Sequence, residues 1–183
     1  MEEAEVPLES LQEKINESAE EKKREEKERW TLYVALSTAF MAVLAAIAGL
    51  LSGHQANEAL IEQIKSSDQW NYYQAKSIKS EIAASTGKIM QAIPGSSATG
   101  ETKQELERYE KEKEEIKTKA EESEKKSEMH LTTHVTLSKA VTIFQIAIAI
   151  SAISILTRRR PLWYGSLILT IIGTVFLLMG IIA

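Results

Sequence analysis

The sequence contains no cysteine, which excludes disulfides and thiolate metal sites and fits either side of a membrane. It also lacks a concentrated basic face: 22 bases against 26 acids give a net charge of -4, so we expect no nucleic-acid partner. Charged residues are absent from two of its longest apolar runs, residues 30–52 and 162–183. What remains is a chain in which apolar and charged residues are segregated into blocks.

Three apolar segments dominate the sequence: residues 30–52, 141–157 and 162–183. A bilayer core of about 30 Å needs roughly 20 apolar residues in a helix, a length that the second segment reaches when residues 135–140 are added. We therefore predict an all-α integral membrane protein with three transmembrane helices, at residues 30–52, 135–157 and 162–183. Residues 1–29 form a charged N-terminal helix, and the first span is an uncleaved anchor in the lipid bilayer.

Positive charges beside the apolar segments predict the orientation. Lysines and arginines within residues 22–29 precede the first span, and Arg158, Arg159 and Arg160 fill the turn between the second and third spans. Positive charge in short flanks marks the cytoplasmic side of a membrane. We therefore expect a cytoplasmic N-terminus, with residues 53–134 and the C-terminus on the other side.

Residues 53–134 carry a helical pattern. One predicted face, apolar at both ends and polar in the middle, is formed by Leu60, Ile64, Ser67, Asn71, Ala75, Ile78, Ile82, Thr86, Ile89 and Ile93. Breakers at residues 94–100 are followed by a second, charged helix. No proline lies where the spans meet this segment. We predict a long antiparallel helical hairpin, similar to a coiled coil, with its turn at residues 94–100 and both helices continuous with the spans.

The string DQWNYYQAKSIK, residues 68–79, is the most unusual local feature. It begins about 25 Å beyond the first span on a straight helix, too far for an interfacial aromatic belt. Two interpretations stay open for Trp70, Asn71, Tyr72, Tyr73 and Gln74. Either they form a packing layer between the arms, with buried amides that set the register, or they form a contact surface for another protein.

The same string, which follows one apolar span and precedes a charged helix and two more spans, resembles the bacterial membrane family catalogued as domain-of-unknown-function family 4337. The resemblance covers roughly residues 20–183, and WNYYQAK is its most specific element. It implies a prokaryotic protein of three spans, and hence a multi-pass protein of the bacterial inner membrane. It implies no activity.

Small residues line one side of the first span at spacings of four and three: Ala35, Ala39, Ala42, Ala46 and Gly49. In the third span, Gly173 and Gly180 lie seven residues apart on a face that also holds Ser166. Small faces let helices approach closely in lipid. Two roles stay open for them: packing within one three-helix bundle, or a homo-oligomeric interface.

Few residues are candidates for chemistry. His130 and His134 share a helix face, and His54 approaches them if the hairpin folds about residue 97. Such a trio is compatible with a zinc site or a pH sensor, but we favour ordinary interfacial histidines and predict neither metal nor cofactor. The sequence has no Gly-rich phosphate loop, no HExxH motif and no set of nucleophile and base, so we predict no enzymatic activity.

Two functional classes therefore compete. The first is a membrane-anchored helical hairpin that acts as a structural or protein-interaction module, through a protein partner or a second copy. The second is an oligomeric channel or transport subunit, assembled around the small residues of the first span. No acid, lysine or histidine lies within the apolar segments at residues 30–52, 141–157 and 162–183, which argues against a pump or an ion-coupled transporter. A histidine-based sensor is a third alternative.

Overall fold

A computed structural model describes residues 8–93 and 99–182, and all regular structure within these ranges is helical. Helix α1 is Leu8–Gln91, α2 is Thr99–Thr157 and α3 is Arg160–Ile182. Each helix contains a stretch that is long and apolar enough to cross a membrane. The predicted all-helical class is confirmed, and the three apolar helices indicate a membrane protein.

Helix α1 is unusually long, at 84 residues. One helix therefore contains residues 8–29 of the charged segment, the first apolar segment and the first arm of the predicted hairpin. Residues 1–7 of the predicted N-terminal helix lie outside the described residues. Helix α1 ends shortly before Pro94, because a proline disfavours the helical conformation in the residue that precedes it. Residues 94–98 of the predicted turn lie outside the described residues. Thr99 and Gly100 belong to α2, so the helix starts earlier than we predicted.

The chain divides into two compact units. The apolar unit combines the described residues up to Gly49 with Ser138–Ile182, and the hairpin unit is Leu50–Leu137. Within the hairpin unit, hydrogen bonds join Ser52 to His134, Ala59 to Ser127 and Ser80 to Glu110. The residue numbers rise along α1 while they fall along α2, so the two helices pack antiparallel in this unit.

The face of α1 that packs against α2 is not the predicted one. Every member of the predicted face between Leu60 and Ile93 is exposed. Within the hairpin unit, the buried positions of α1 are small and mostly seven residues apart: Ser52, Ala59, Ser66, Ser80 and Gly87. Buried and half-buried positions of α2 alternate by three and four residues: Leu106, Tyr109, Lys113, Ile116, Ala120, Ser123 and Ser127. Both inner faces thus follow a heptad repeat, and small side chains let the backbones approach closely.

All three helices contribute to the core of the apolar unit. Its buried side chains include Val34, Met41, Phe144, Ala147, Ser151, Ser154, Ser166 and Leu177. The hydroxyls of Thr38 and Ser151 share a hydrogen bond of 2.6 Å. Trp163 donates a hydrogen bond from Nε1 to the hydroxyl of Ser37 at 3.0 Å. These two bonds tie α1 to α2 and α1 to α3.

A tight turn joins α2 to α3. Arg158 adopts a left-handed conformation with φ of 55°. Its N–H donates to the carbonyl of Ile155 at 3.3 Å, and the N–H of Arg159 donates to the carbonyl of Ser154 at 3.2 Å. This is a Schellman arrangement, in which glycine is the usual left-handed residue. Pro161 then lies in the first turn of α3, where its fixed φ suits a helix start.

Candidate interaction site

A group of tyrosine and lysine side chains lies between α1 and α2 in the hairpin unit. Nζ of Lys76 lies 5.4 Å from the ring centroid of Tyr72 and 5.4 Å from that of Tyr109. The same ammonium donates a hydrogen bond of 2.5 Å to a carboxylate oxygen of Glu112. The Lys76 side chain is only 15% exposed, so this cation is held by ring faces and a carboxylate instead of by water.

Lys113 makes the reciprocal arrangement from α2. Its Nζ lies 5.7 Å from the ring centroid of Tyr73 on α1 and donates hydrogen bonds to Glu110 at 3.0 and 3.2 Å. Glu110 also accepts a hydrogen bond from the hydroxyl of Ser80 at 2.9 Å. Each helix thus places a lysine over a tyrosine of the other helix. We call these four residues the tyrosine–lysine cluster: Tyr73, Lys76, Tyr109 and Lys113.

Hydrogen bonds fix the charges around this cluster. The hydrogen bond from Lys76 lowers the pKa of Glu112, and the carboxylate in turn raises the pKa of Lys76. The hydrogen bonds from Lys113 and, next, from Ser80 lower the pKa of Glu110. Glu110, Glu112 and Lys76 are therefore charged at neutral pH. The Lys76–Glu112 ion pair and the Ser80–Glu110 hydrogen bond both cross from α1 to α2, so they favour one register of the two helices.

The predicted interaction residues lie on two faces of α1. Trp70 and Tyr73 are half-buried, and their rings meet edge to face with centroids 5.6 Å apart. The other three are exposed: Asn71, Tyr72 and Gln74. The interpretation in which both amides are buried between the arms is therefore wrong. The polar groups of this layer are Lys76 and Lys113, because the inward positions of the heptad repeat fall on them.

An apolar surface runs along the exposed side of α1 in the hairpin unit. Its six large side chains are each at least 56% exposed: Leu60, Ile64, Ile78, Ile82, Ile89 and Ile93. The part between Ser77 and Ile89 lines an open groove of about 390 Å³. Contiguous exposed apolar surface marks contact sites on proteins. We call the whole face the α1 stripe: Leu60, Ile64, Ser67, Asn71, Ala75, Ile78, Ile82, Thr86, Ile89 and Ile93.

Two histidines bond across the hairpin. Nδ1 of His134 lies 2.9 Å from the carbonyl oxygen of Ser52, and Nδ1 of His130 lies 2.6 Å from Oε1 of Gln55. Because a carbonyl oxygen only accepts, each Nδ1 carries the proton. Among the described residues, no group of three or more His, Cys, Asp or Glu side chains could hold a metal ion. His54, His130 and His134 are therefore not brought together as a metal trio.

The small residues of the apolar unit fall into two classes. Gly173 and Gly180 are buried, and a Cβ added at Gly173 would lie 2.9 Å from the ring of Phe144. The five small residues that were predicted to line one side of the first span are exposed: Ala35, Ala39, Ala42, Ala46 and Gly49. A Cβ added at Gly49 would meet nothing within 4 Å. Packing within one three-helix bundle thus accounts for the small residues of the third span. It does not account for the exposed row of small residues on the first span.

A family match covers both units. The family described as "Domain of unknown function (DUF4337)" matches residues 30–183. The chain belongs to this family. The resemblance predicted from the WNYYQAK string is confirmed, and the family description assigns no function to this DUF4337 member. No curated protein and no solved structure gives a significant match to the chain.

Sequence reasoning missed the contacts that four residues in this DUF4337 chain make with the opposite helix. Lys76 was considered only as part of the unusual string at residues 68–79. The other three were considered only as part of a charged helix: Glu110, Glu112 and Lys113. A usable signal was present in the seven-residue spacing of Ser52, Ala59 and Ser66, because small residues at heptad spacing mark close helix packing. The larger side chains of the α1 stripe concealed that signal.

Proposed function

We propose that this chain is a membrane-anchored helical hairpin that acts as a structural or protein-interaction module. Three transmembrane helices, at residues 30–52, 135–157 and 162–183, anchor it in the lipid bilayer. The hairpin of residues 53–134 makes the contacts. The observation that carries the proposal is the α1 stripe, whose large apolar side chains remain uncovered by α2.

The tyrosine–lysine cluster supports a structural role for the opposite face of the hairpin. The Lys76–Glu112 ion pair and the cation–π contacts of Lys76 and Lys113 join α1 to α2. These contacts keep the opposite face of α1 against α2, which leaves the α1 stripe uncovered. In this proposal the module is not an enzyme, because its charged groups serve one another as ion-pair partners.

We place this module in the inner membrane of a bacterium, with its N-terminus in the cytoplasm and its hairpin outside. The short turn at Arg158, Arg159 and Arg160 and the bases within residues 22–29 support this orientation. The test is a pair of reporter fusions, one at Met1 and one between residues 94 and 98. We expect opposite sides of the membrane, and two reporters on the same side would overturn the proposed topology.

The interaction role is tested by a photo-cross-linking residue placed in the full chain in native membranes. At Tyr72, which is 51% exposed beside the stripe, we expect a protein adduct of discrete mass. The matched control is Thr118, an exposed position on α2. Adducts of equal yield at both positions, or lipid adducts alone, would contradict the interaction role.

The exposed row of small residues on the first span favours a second candidate, an oligomeric channel or transport subunit. Ala35, Ala42 and Gly49 are exposed in the part of the chain that the structure describes, and small faces associate in lipid by close packing. Ion flux in liposomes that is lost in Ala42→Leu would support this candidate. A purified oligomer without flux would remove it.

A further inference from the structure

The α1 stripe repeats every eleven residues. Leu60, Asn71, Ile82 and Ile93 occupy equivalent positions, and two further members lie between each pair. Eleven residues make three turns at 3.67 residues per turn, close to the 3.6 of a straight helix. The stripe therefore stays on one side of α1 for about 50 Å. That regularity fits a helix partner of equal length and straightness.

We infer that a second copy of this chain packs in parallel against the α1 stripe, with Asn71 of one copy beside Asn71 of the other. The inference rests on the proposed function, because a shared membrane anchor makes both copies of α1 enter the hairpin in the same direction. It names the partner that the proposed function leaves open.

Asn71 is the first argument for a second copy. In a symmetric parallel pair, residues of equal number face each other, and an asparagine amide donates to and accepts from its twin. An asparagine at one position of a helix seam fixes the register and the number of helices. Asn71 is exposed and lies between the apolar ends of the stripe, so a heterologous apolar partner or a lipid tail would leave its amide unpaired.

The edges of the stripe are the second argument. Exposed Asp68 and Lys79 lie along one edge, and exposed Gln63, Gln74, Glu81 and Lys88 lie along the other. In a symmetric parallel pair each edge faces the opposite edge of the partner, so neither Asp68 nor Glu81 meets its own twin. A helix that lies on a membrane surface carries mainly lysine and arginine on its polar flanks, which these edges do not.

The available area is the third argument. Six side chains per copy are each at least 56% exposed. At roughly 100 Å² for each side chain, two copies would bury on the order of 1,200 Å², the lower end of stable interfaces. Confinement of both copies in one bilayer, with a common orientation, reduces the entropy lost on association.

The absence of cysteine permits a direct test in the full-length chain in membranes. Single variants on the stripe are Ser67→Cys, Ala75→Cys and Thr86→Cys, and the exposed control on α2 is Thr118→Cys. A disulfide needs Cα atoms within about 7 Å, so we expect the stripe variants to form dimers about tenfold faster than the control on mild oxidation. Equal rates would overturn the inference.

The same variants distinguish the direction of pairing. An antiparallel pair centred on Asn71 would link Ser67→Cys only to Ala75→Cys in a mixture, and Thr86→Cys would not link to itself. That result would overturn the parallel arrangement. Discrete adducts with a different protein from a photo-cross-linker at Ile78, without self-linked dimers, would overturn the second copy and leave the proposed function standing. Lipid adducts alone would overturn both.

A disruptive pair of variants gives an independent readout. Ile78→Glu places a carboxylate within the stripe, and we expect it to reduce dimer formation through Ser67→Cys about tenfold. Ile61→Glu is the control, since Ile61 is 45% exposed and lies outside the stripe. Circular dichroism checks that both variants keep their helix content. An unchanged dimer yield in folded Ile78→Glu would contradict the inference.

Discussion

Nζ of Lys76 on α1 lies 5.4 Å from the ring centroid of Tyr109 on α2. Both residues occupy inward positions of the heptad repeat. Apolar residues are the usual occupants of such positions. The lysine is accommodated because Glu112 accepts its hydrogen bond and the tyrosine faces attract its charge. Lys113 and Tyr73 form the reverse contact, so a shift of one helix by a turn would break both.

Reversal of one charge in this cluster should destabilise the hairpin. Lys76→Glu places a carboxylate beside Glu112 and against two ring faces, so we expect the thermal unfolding midpoint of the purified chain in detergent to fall by several degrees. Adding Glu112→Lys restores an ion pair and should recover part of the loss. Lys125→Glu, at an exposed site on α2, makes the same change in net charge and should have a smaller effect.

Acid should weaken the hairpin more than moderate base. The pKa values of Glu112 and Glu110 lie below the ordinary 4.5, because Lys76 and Lys113 donate hydrogen bonds to them. Their contribution to stability is therefore complete above pH 4.5 and is lost as the pH falls through the lower folded values. The pKa of Lys76 lies above 10.5, so its contribution is complete below pH 10.5 and is lost above the folded value.

Unfolding midpoints measured by circular dichroism across pH test this dependence. Glu112→Gln should flatten the acid limb, because the substituted amide does not titrate. An acid limb of the same steepness in this variant would contradict the role given to the Lys76–Glu112 pair.

Two adjacent serines test which face of α1 is inward. Ser66 is 2% exposed against α2, so Ser66→Leu overfills the interface and should cost about 1–3 kcal/mol in the free energy of unfolding. Ser67 is exposed on the α1 stripe, so Ser67→Leu should leave the hairpin stability nearly unchanged. Denaturant or thermal unfolding of both variants gives the comparison. The opposite ranking would restore the face that the apolar pattern predicted.

Two glycines provide the equivalent test in the apolar unit. Gly173→Ala places a Cβ 2.9 Å from the ring of Phe144, which is fully buried, so we expect a loss of about 1–3 kcal/mol. Gly49→Ala meets no atom within 4 Å and should be neutral or stabilising by up to ~1 kcal/mol. Retained helix content after heating in detergent is the measurement. Equal losses would mean that Gly49 is also covered.

Arg158 should be replaceable by glycine with a gain in stability. A non-glycine residue in the left-handed region costs roughly 1–2 kcal/mol, and Arg158 has φ of 55°. Arg158→Gly removes this cost and leaves two arginines in the turn, so the unfolding midpoint should rise while the topology is kept. Arg159→Gly gives no such relief and serves as the control. A lower midpoint in Arg158→Gly would contradict the argument.

Much of the fold was predictable because local properties specify it. Segments of about 20 apolar residues identify the three apolar helices, and Pro94 marks the end of α1. The WNYYQAK string predicted the family and marked the layer where Tyr73 meets Lys113. The predicted burial of Asn71 and Gln74 was wrong, because hydrophobic periodicity alone pointed to the wrong side of the helix.

The sequence by itself determined the helices, their approximate ends and the segregation of apolar from charged segments, since these depend on neighbours along the chain. Only the tertiary structure decided which of two competing stripes on α1 turns inward. The inner face of α2 repeats every seven residues, and a stripe that repeats every eleven drifts away from such a partner along the helix. The small residues of the other stripe keep the heptad spacing and let the backbone of α2 approach closely: Ser52, Ala59, Ser66 and Ser80. They are therefore buried, and the larger Leu and Ile side chains of the α1 stripe are left exposed.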